Sequence, residues 1–293
     1  MTANTRTAIH LDRRHALLSL SALTAGFAAP SWAQASHPVK FILPVSAGSG
    51  VDAIARAASS QLGLALGAPV VIENQPGAGG VVGTQALVRL MLMQRQHDER
   101  QQWNTRGFIS GYRGSPLGMV DQVIWKQGDR FKNAGIEFVP AINEELGATQ
   151  VLGTQRVESD PERTVDGVFG LWYGKGPGVD RAGDALKHGH TYGSSAQGGV
   201  LVVCGDDHGC VSSSMPHQSD LALMAWSMPV LHPANVAEYL SFGLYGWALS
   251  RFSGAWVGFK AISEVVESAM TVDLDALDLN RTFDTHDLPQ PEQ

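Results

Sequence analysis

Apolar residues along this chain fall into short blocks separated by small and polar residues. Val39-Lys40-Phe41-Ile42-Leu43 and Pro69-Val70-Val71-Ile72-Glu73-Asn74 are blocks of strand length. Between them Leu62 and Leu66 stand four apart, on one face of a helix expected over 52–66 and stopped by Gly67. The first strand runs into Ser46-Ala47-Gly48-Ser49-Gly50 and the second into Gln75-Pro76-Gly77-Ala78-Gly79-Gly80. The pattern is a β-α-β unit with both glycine loops at strand C-terminal ends, the edge where open α/β sheets bind ligands. Backbone N–H groups opening a helix suit an anion. Ser46, Gly48, Gly50, Asp52, Gly77 and Gly79 are therefore candidates to hold a carboxylate, with plain tight turns as the other reading.

Beyond this unit the same alternation continues. Helices are expected over 87–100, over 144–155 with Asn143 as cap, over 180–194, and over 235–250 with Asn235 as cap. Strands are expected over 107–112, 135–140, 164–172 and 198–204, and a strand-helix pair over 256–268. Val200-Leu201-Val202-Val203 is an unbroken apolar run, the mark of a strand buried on both faces. Strands alternating with helices predict an α/β fold with a doubly wound parallel sheet. The expected division is a leader over 1–35, the β-α-β appendage over 36–86, the main domain over 87–275 and a tail over 276–293.

Composition narrows the function classes. Hydrophobic residues make up 44% and charged residues 17% of the chain, which excludes wholesale disorder. A net charge of −7, with no basic cluster beyond residue 20, argues against a nucleic-acid partner. The two cysteines, Cys204 and Cys210, exclude a disulfide framework and any iron–sulfur cluster held by this chain alone. They read as loop thiols. His188, His190, His208 and His217 have no metal-ligand spacing, so no metal site is expected. Near the start, Arg13 and Arg14 precede an apolar run from Ala16 to Ala29, and Ala33-Gln34-Ala35 fits a cleavage site. The run is shorter than the ~20 residues that span a bilayer, and no membrane span is expected elsewhere.

Three segments of the main domain carry chemistry. Ser110-Gly111-Tyr112-Arg113-Gly114-Ser115-Pro116-Leu117-Gly118 brings a hydroxyl and a guanidinium to a strand end. Asn143-Glu144-Glu145-Leu146 opens a helix with two carboxylates, which is also ordinary dipole complementarity. Trp172-Tyr173-Gly174-Lys175-Gly176-Pro177-Gly178-Val179-Asp180 reads as a rigid turn. Each alone has a structural explanation.

In this order, and continued by Gly199-Val200-Leu201-Val202-Val203-Cys204-Gly205-Asp206-Asp207-His208 and His217-Gln218-Ser219-Asp220, they resemble a family. Residues 84–273 look like the N-terminal, pyrimidine-binding domain of indolepyruvate ferredoxin oxidoreductase. The two glycine loops of 37–87 resemble instead the tricarboxylate-transporter family of extracytoplasmic receptors, whose matching loops cradle a ligand carboxylate. The chain thus looks like a chimera, joined near Gly83-Thr84-Gln85-Ala86-Leu87-Val88.

The first resemblance implies half of a thiamine diphosphate site. Glu144 would share a proton with the aminopyrimidine ring and so drive deprotonation of the thiazolium carbon. Ser115, Arg113 and Tyr112 would face the 2-oxoacid substrate and cofactor, and Asp206 and Asp207 would form the far wall. Gly205-Asp206-Asp207-His208-Gly209 departs from the glycine-aspartate-glycine motif that holds diphosphate and magnesium, which the family carries on a separate domain. Magnesium and iron–sulfur clusters are therefore expected on missing domains, and the partners on those domains or on a second copy. The chain alone is expected to be inactive. Location is divided: the leader implies the periplasm, the enzyme-like domain the cytoplasm.

Overall fold

The apolar blocks pair in parallel in the computed structural model, which describes residues 38–43, 50–74, 81–211, 213 and 215–277. The expected leader, the tail beyond 277 and the loop residues Ser46, Gly48, Gly77 and Gly79 lie outside the described residues. Strand β1 (Val39–Leu43), helix α1 (Gly50–Leu66) and strand β2 (Val70–Asn74) form the expected β-α-β unit. Val39 faces Val70 and Leu43 faces Asn74 in a two-stranded parallel sheet that pairs with no other described strand.

The larger unit begins with β3 (Val81–Val82) and α2 (Gly83–Arg100). It continues through β4 (Thr105–Gly111), α3 (Val120–Lys126), α4 (Gly128–Asn133), β5 (Ile136–Pro140) and α5 (Glu144–Thr154). Then come β6 (Gly167–Lys175), α6 (Gly176–Arg181), α7 (Gly183–Tyr192), β7 (Val200–Gly205) and α8 (Asp220–Ala225). It closes with β8 (Val230–Leu231), α9 (Val236–Ser253), β9 (Val257–Lys260), α10 (Ser263–Val266) and β10 (Ala269–Met270). Six strands form one all-parallel sheet in the order β5-β4-β6-β7-β9-β8.

The side-chain period of two divides each central strand between two cores. Leu201 and Val203 of β7 join Phe169, Leu171 and Tyr173 of β6 on one face, under α2, α3 and α9. Val200, Val202 and Cys204 join Trp172 on the other, under α5, α7 and α8. All six residues of β7 are buried, as its unbroken apolar run predicts. The fold is the doubly wound α/β arrangement expected. Cys204 is accordingly a core residue and not a loop thiol, and burial pushes its thiol pKa up.

Five local features differ from the expected elements. Helix α2 starts at Gly83, whose Cβ position would lie 2.4 Å from the Val265 carbonyl oxygen, and β3 pairs with β10. The expected boundary after residue 86 thus falls inside a helix that packs Ala86, Leu87 and Leu90 into the larger core. β6 runs three residues past its expected end, because Tyr173 buries on the core face. The expected turn at 172–180 is that strand end followed by α6, with a proline in its first turn. The single helix expected over 180–194 is broken at Ala182 into α6 and α7, and the short α3, α4 and α8 went unanticipated.

Candidate active site

From β4 the chain moves outward to β5, then returns through α5 to β6 on the other side of β4. That reversal opens a crevice beyond the C-terminal ends of β4 and β6, where doubly wound sheets place their ligands. Glu144 is the first residue of α5, at this same sheet edge. Asn143 caps the helix by accepting from the Leu146 N–H at 2.8 Å, which fixes where Glu144 starts. The Trp172 indole N–H donates to the Glu144 carbonyl at 2.9 Å, tying α5 to β6. Gly147 lets this helix approach β4: a Cβ there would stand 3.1 Å from the Gly111 Cα.

The Glu144 side chain is buried and lies against α6, where a Cβ on Gly178 would meet its Cγ at 2.6 Å. Its nearest cation is Arg181, at a long 3.8 Å between Nε and Oε2. Glu145 beside it is exposed. Burial of one carboxylate and exposure of its neighbour separate two residues that the sequence leaves adjacent.

The 112–119 loop crosses the same edge. A Cβ on Gly114 would lie 2.8 Å from Lys175 Cδ, and one on Gly205 would lie 2.8 Å from Leu117 Cγ, so the loop spans the ends of β6 and β7. Tyr112 donates its N–H to the Tyr173 carbonyl at 3.1 Å. Tyr112 and Arg113 are exposed and Ser115 is half-buried, next to a cis peptide bond to Pro116. Below the loop the Tyr173 hydroxyl donates to the Asp121 carboxylate, and burial together with that carboxylate raises its pKa.

Asp206 and Asp207 sit at the end of β7 but turn inward. Asp206 is fully buried, accepting from the Ser219 N–H at 2.9 Å and the Ser219 hydroxyl at 2.7 Å. Lys260, almost fully buried at the end of β9, places Nζ 3.4 Å from Asp206 Oδ2 and also bonds Asp220 and, at 3.3 Å, His208. Asp207 accepts from the Val211 N–H at 2.9 Å, and its strand segment bridges to His217. The ligand atoms of Asp206, His208 and Asp220 lie within 4.8 Å of one another, a separation that could suit a metal ion. The Lys260 ammonium already acts as the cation among them.

α6 links the two halves of this edge. Its Asp180 pairs with His217 Nε2 at 2.8 Å, while His217 Nδ1 stands 3.7 Å from Asp206. Gly176 permits this, since a Cβ there would overlap the His217 ring at 2.1 Å. The structure thus brings Glu144, the Ser115 loop and Asp206 to one sheet edge, with Glu144 packed against α6 and both aspartates bonded inward. Arg181 and Lys260 were not among the expected site residues, and His217 was considered only as a metal ligand. Lys260 had a signal in a charge closing the apolar strand Val-Gly-Phe-Lys.

In the β-α-β unit Asp52 is also inward-turned. It accepts from Arg56 Nε at 2.9 Å and from the Asn74 amide at 2.9 Å, joining α1 to the end of β2. Gly50 opens α1 at the same edge.

No protein-family model matches the chain. Protein BugT of Bordetella pertussis is 37% identical over 83 residues, covering 28% of this chain and 26% of that protein. A protein named only as UPF0065, from Cupriavidus necator, is 37% identical over 86 residues, covering 26% of each chain. The chain therefore spans about a quarter of the length of the curated relatives it matches. A solved 2-oxoglutarate:ferredoxin oxidoreductase from Magnetococcus marinus, with 2-oxoglutarate, coenzyme A and succinyl-CoA bound, is 20% identical with a TM-score of 0.48. It matches 74% of this chain and 36% of its own.

Proposed function

We propose that the six-stranded unit supplies the pyrimidine half of a thiamine diphosphate site in a 2-oxoacid:ferredoxin oxidoreductase of indolepyruvate type. The observation that carries this reading is Glu144. It is a buried carboxylate at the topological switch point, and among the described residues its side chain pairs only with Arg181, at a long 3.8 Å. Such a group accepts or shares a proton with whatever ring nitrogen enters the crevice. Thiamine diphosphate, when bound, would supply the nucleophilic carbon for 2-oxoacid chemistry. Glu144 would hold the proton at the pyrimidine nitrogen, Arg181 would steady the carboxylate, and the Tyr112–Ser115 loop would close over the substrate side. Diphosphate, magnesium and iron–sulfur clusters would be held by partner domains, since this sequence has only two cysteines.

The test is binding of thiamine or its isolated aminopyrimidine, followed by NMR on the folded chain. Wild type and Glu145→Gln should show saturable shifts that Glu144→Gln loses. Equal binding by the Glu144→Gln variant would refute the assignment.

The relatives of BugT type favour a second reading for the β-α-β unit, a fragment of an extracytoplasmic receptor for carboxylates such as tricarboxylates. Here Gly50 and the glycine loops of 46–50 and 75–80 would cradle the ligand, with Asp52 positioning Arg56.

A further inference from the structure

A groove of about 360 Å³ runs between α2 and the α3–α4 pair, and none of the candidate site residues lines it. Its volume falls in the range of small-molecule sites. Val88, Met93 and Val123 contribute apolar surface, while Arg89, Lys126 and Arg130 supply charge. Three glutamines complete the polar lining, and no carboxylate lines the groove.

That arrangement is unusual in a chain of net charge −7. Helix α2 repeats the pattern at Gln85, Arg89 and Gln96, and the facing segment at Val123, Lys126 and Arg130, so cations project from both walls. No ion pair to a described carboxylate involves any of the three cations, although Arg95 on the same helix pairs with Glu99. Three like charges around an apolar floor repel one another until an anion enters. Each cation also has an apolar stem that can cover a ligand's body.

We propose that this groove binds a small organic carboxylate with an apolar body. Its head would meet Arg89, Lys126 and Arg130, and its body would lie on Val88, Met93 and Val123. The site is separate from the Glu144 crevice, and its occupancy does not depend on the activity proposed above. The charge pattern favours one anionic head over a neutral ligand, and the small volume favours a molecule over a docked helix.

Octanoate is the probe, titrated into the folded chain by calorimetry, with octanol and anionic phosphatidylglycerol vesicles as comparison arms. Octanoate should bind saturably at one site, and octanol at least about tenfold more weakly. The Arg89→Glu/Arg130→Glu double variant should weaken octanoate by about tenfold or more, with an unchanged circular dichroism spectrum. Met93→Trp should fill the floor and reduce octanoate binding, which keeps the proposal testable if the charge reversal fails to fold. Non-saturable octanoate binding, octanol binding of equal strength, an unaffected double variant, or binding to vesicles alone would each overturn it.

Discussion

The β-α-β unit and the six-stranded unit each hold an aspartate–arginine cluster, and the two clusters are built differently. Asp52 pairs with Arg56 four residues away and with Asn74, on a side of α1 where the arginine side chain is 50% exposed. Asp98 pairs bidentately with Arg251, at 2.7 and 2.8 Å and across 153 residues, while also accepting from Gln94 and Thr105. Asp98 is fully buried and the Arg251 side chain only 9% exposed. The first cluster closes a local turn; the second fastens the first helix of a domain to its last long one. A unit whose sheet exposes Phe41 and Val71 and whose helix exposes Ile54 and Leu64 has a small apolar core to hold it.

The largest expected effect follows from that contrast. Asp98→Ala strands the buried Arg251 charge and should cost about 3–5 kcal/mol in denaturant unfolding of the six-stranded unit. Asp52→Ala should cost the β-α-β unit about 1 kcal/mol or less, because Arg56 retains water. Equal losses would erase the distinction.

Close packing gives the next effect. A Cβ on Gly243 of α9 would lie 2.0 Å from the Leu90 Cδ2 of α2, so Gly243→Ala should destabilise the larger unit by roughly 1–3 kcal/mol. Gly67 has φ +63° with open space around it, so Gly67→Ala should cost the smaller unit about 1 kcal/mol through backbone strain alone. Thermal melts followed separately in the two units distinguish these causes.

Hydrogen exchange sharpens the comparison without mutation. Amides of Val200–Gly205 should exchange orders of magnitude more slowly than those of Val70–Asn74. Comparable protection would show that the small sheet is as firmly held as the large one.

The smallest expected effect is on pH. Burial lowers the pKa of His97, His190 and His232 in the larger unit, against a raising influence from Asp98 at the first. The unfolded chain therefore binds more protons, so this unit should lose stability as pH falls from about 7 through the ordinary histidine pKa near 6.5. Burial raises Glu267, which pulls the opposite way at lower pH. Residues 38–74 contain no histidine, so the β-α-β unit should hold level across the same window. A parallel pH response in both units would contradict this assignment.

The difference between the units also explains what the sequence made legible. The apolar run at 200–203 and the caps Asn143 and Asn235 are local signals, and strand and helices stand where these place them. Helices α3, α4 and α8, of six or seven residues, give too few turns for a readable period. The break at Ala182 is followed by Gly183, but Gly183 opens α7 without a left-handed φ and so gives no readable stop. The place of Glu144 at the start of a helix was legible from its cap Asn143, whereas the inward turn of Asp206 was not. That turn depends on Ser219 and Lys260, thirteen and fifty-four residues away, and only folding brings them together.

The central claim is that Glu144 serves the pyrimidine half of a cofactor site, and reconstituted activity tests it most directly. The chain should be mixed with a separately expressed diphosphate-binding and iron–sulfur segment of a 2-oxoacid oxidoreductase, thiamine diphosphate, magnesium and a ferredoxin-type acceptor. Indolepyruvate oxidation should appear only in the mixture, and Glu144→Gln should lower it by at least about a hundredfold while its circular dichroism spectrum stays unchanged. Turnover by the isolated chain, or undiminished activity of the mixture with Glu144→Gln, would contradict the account.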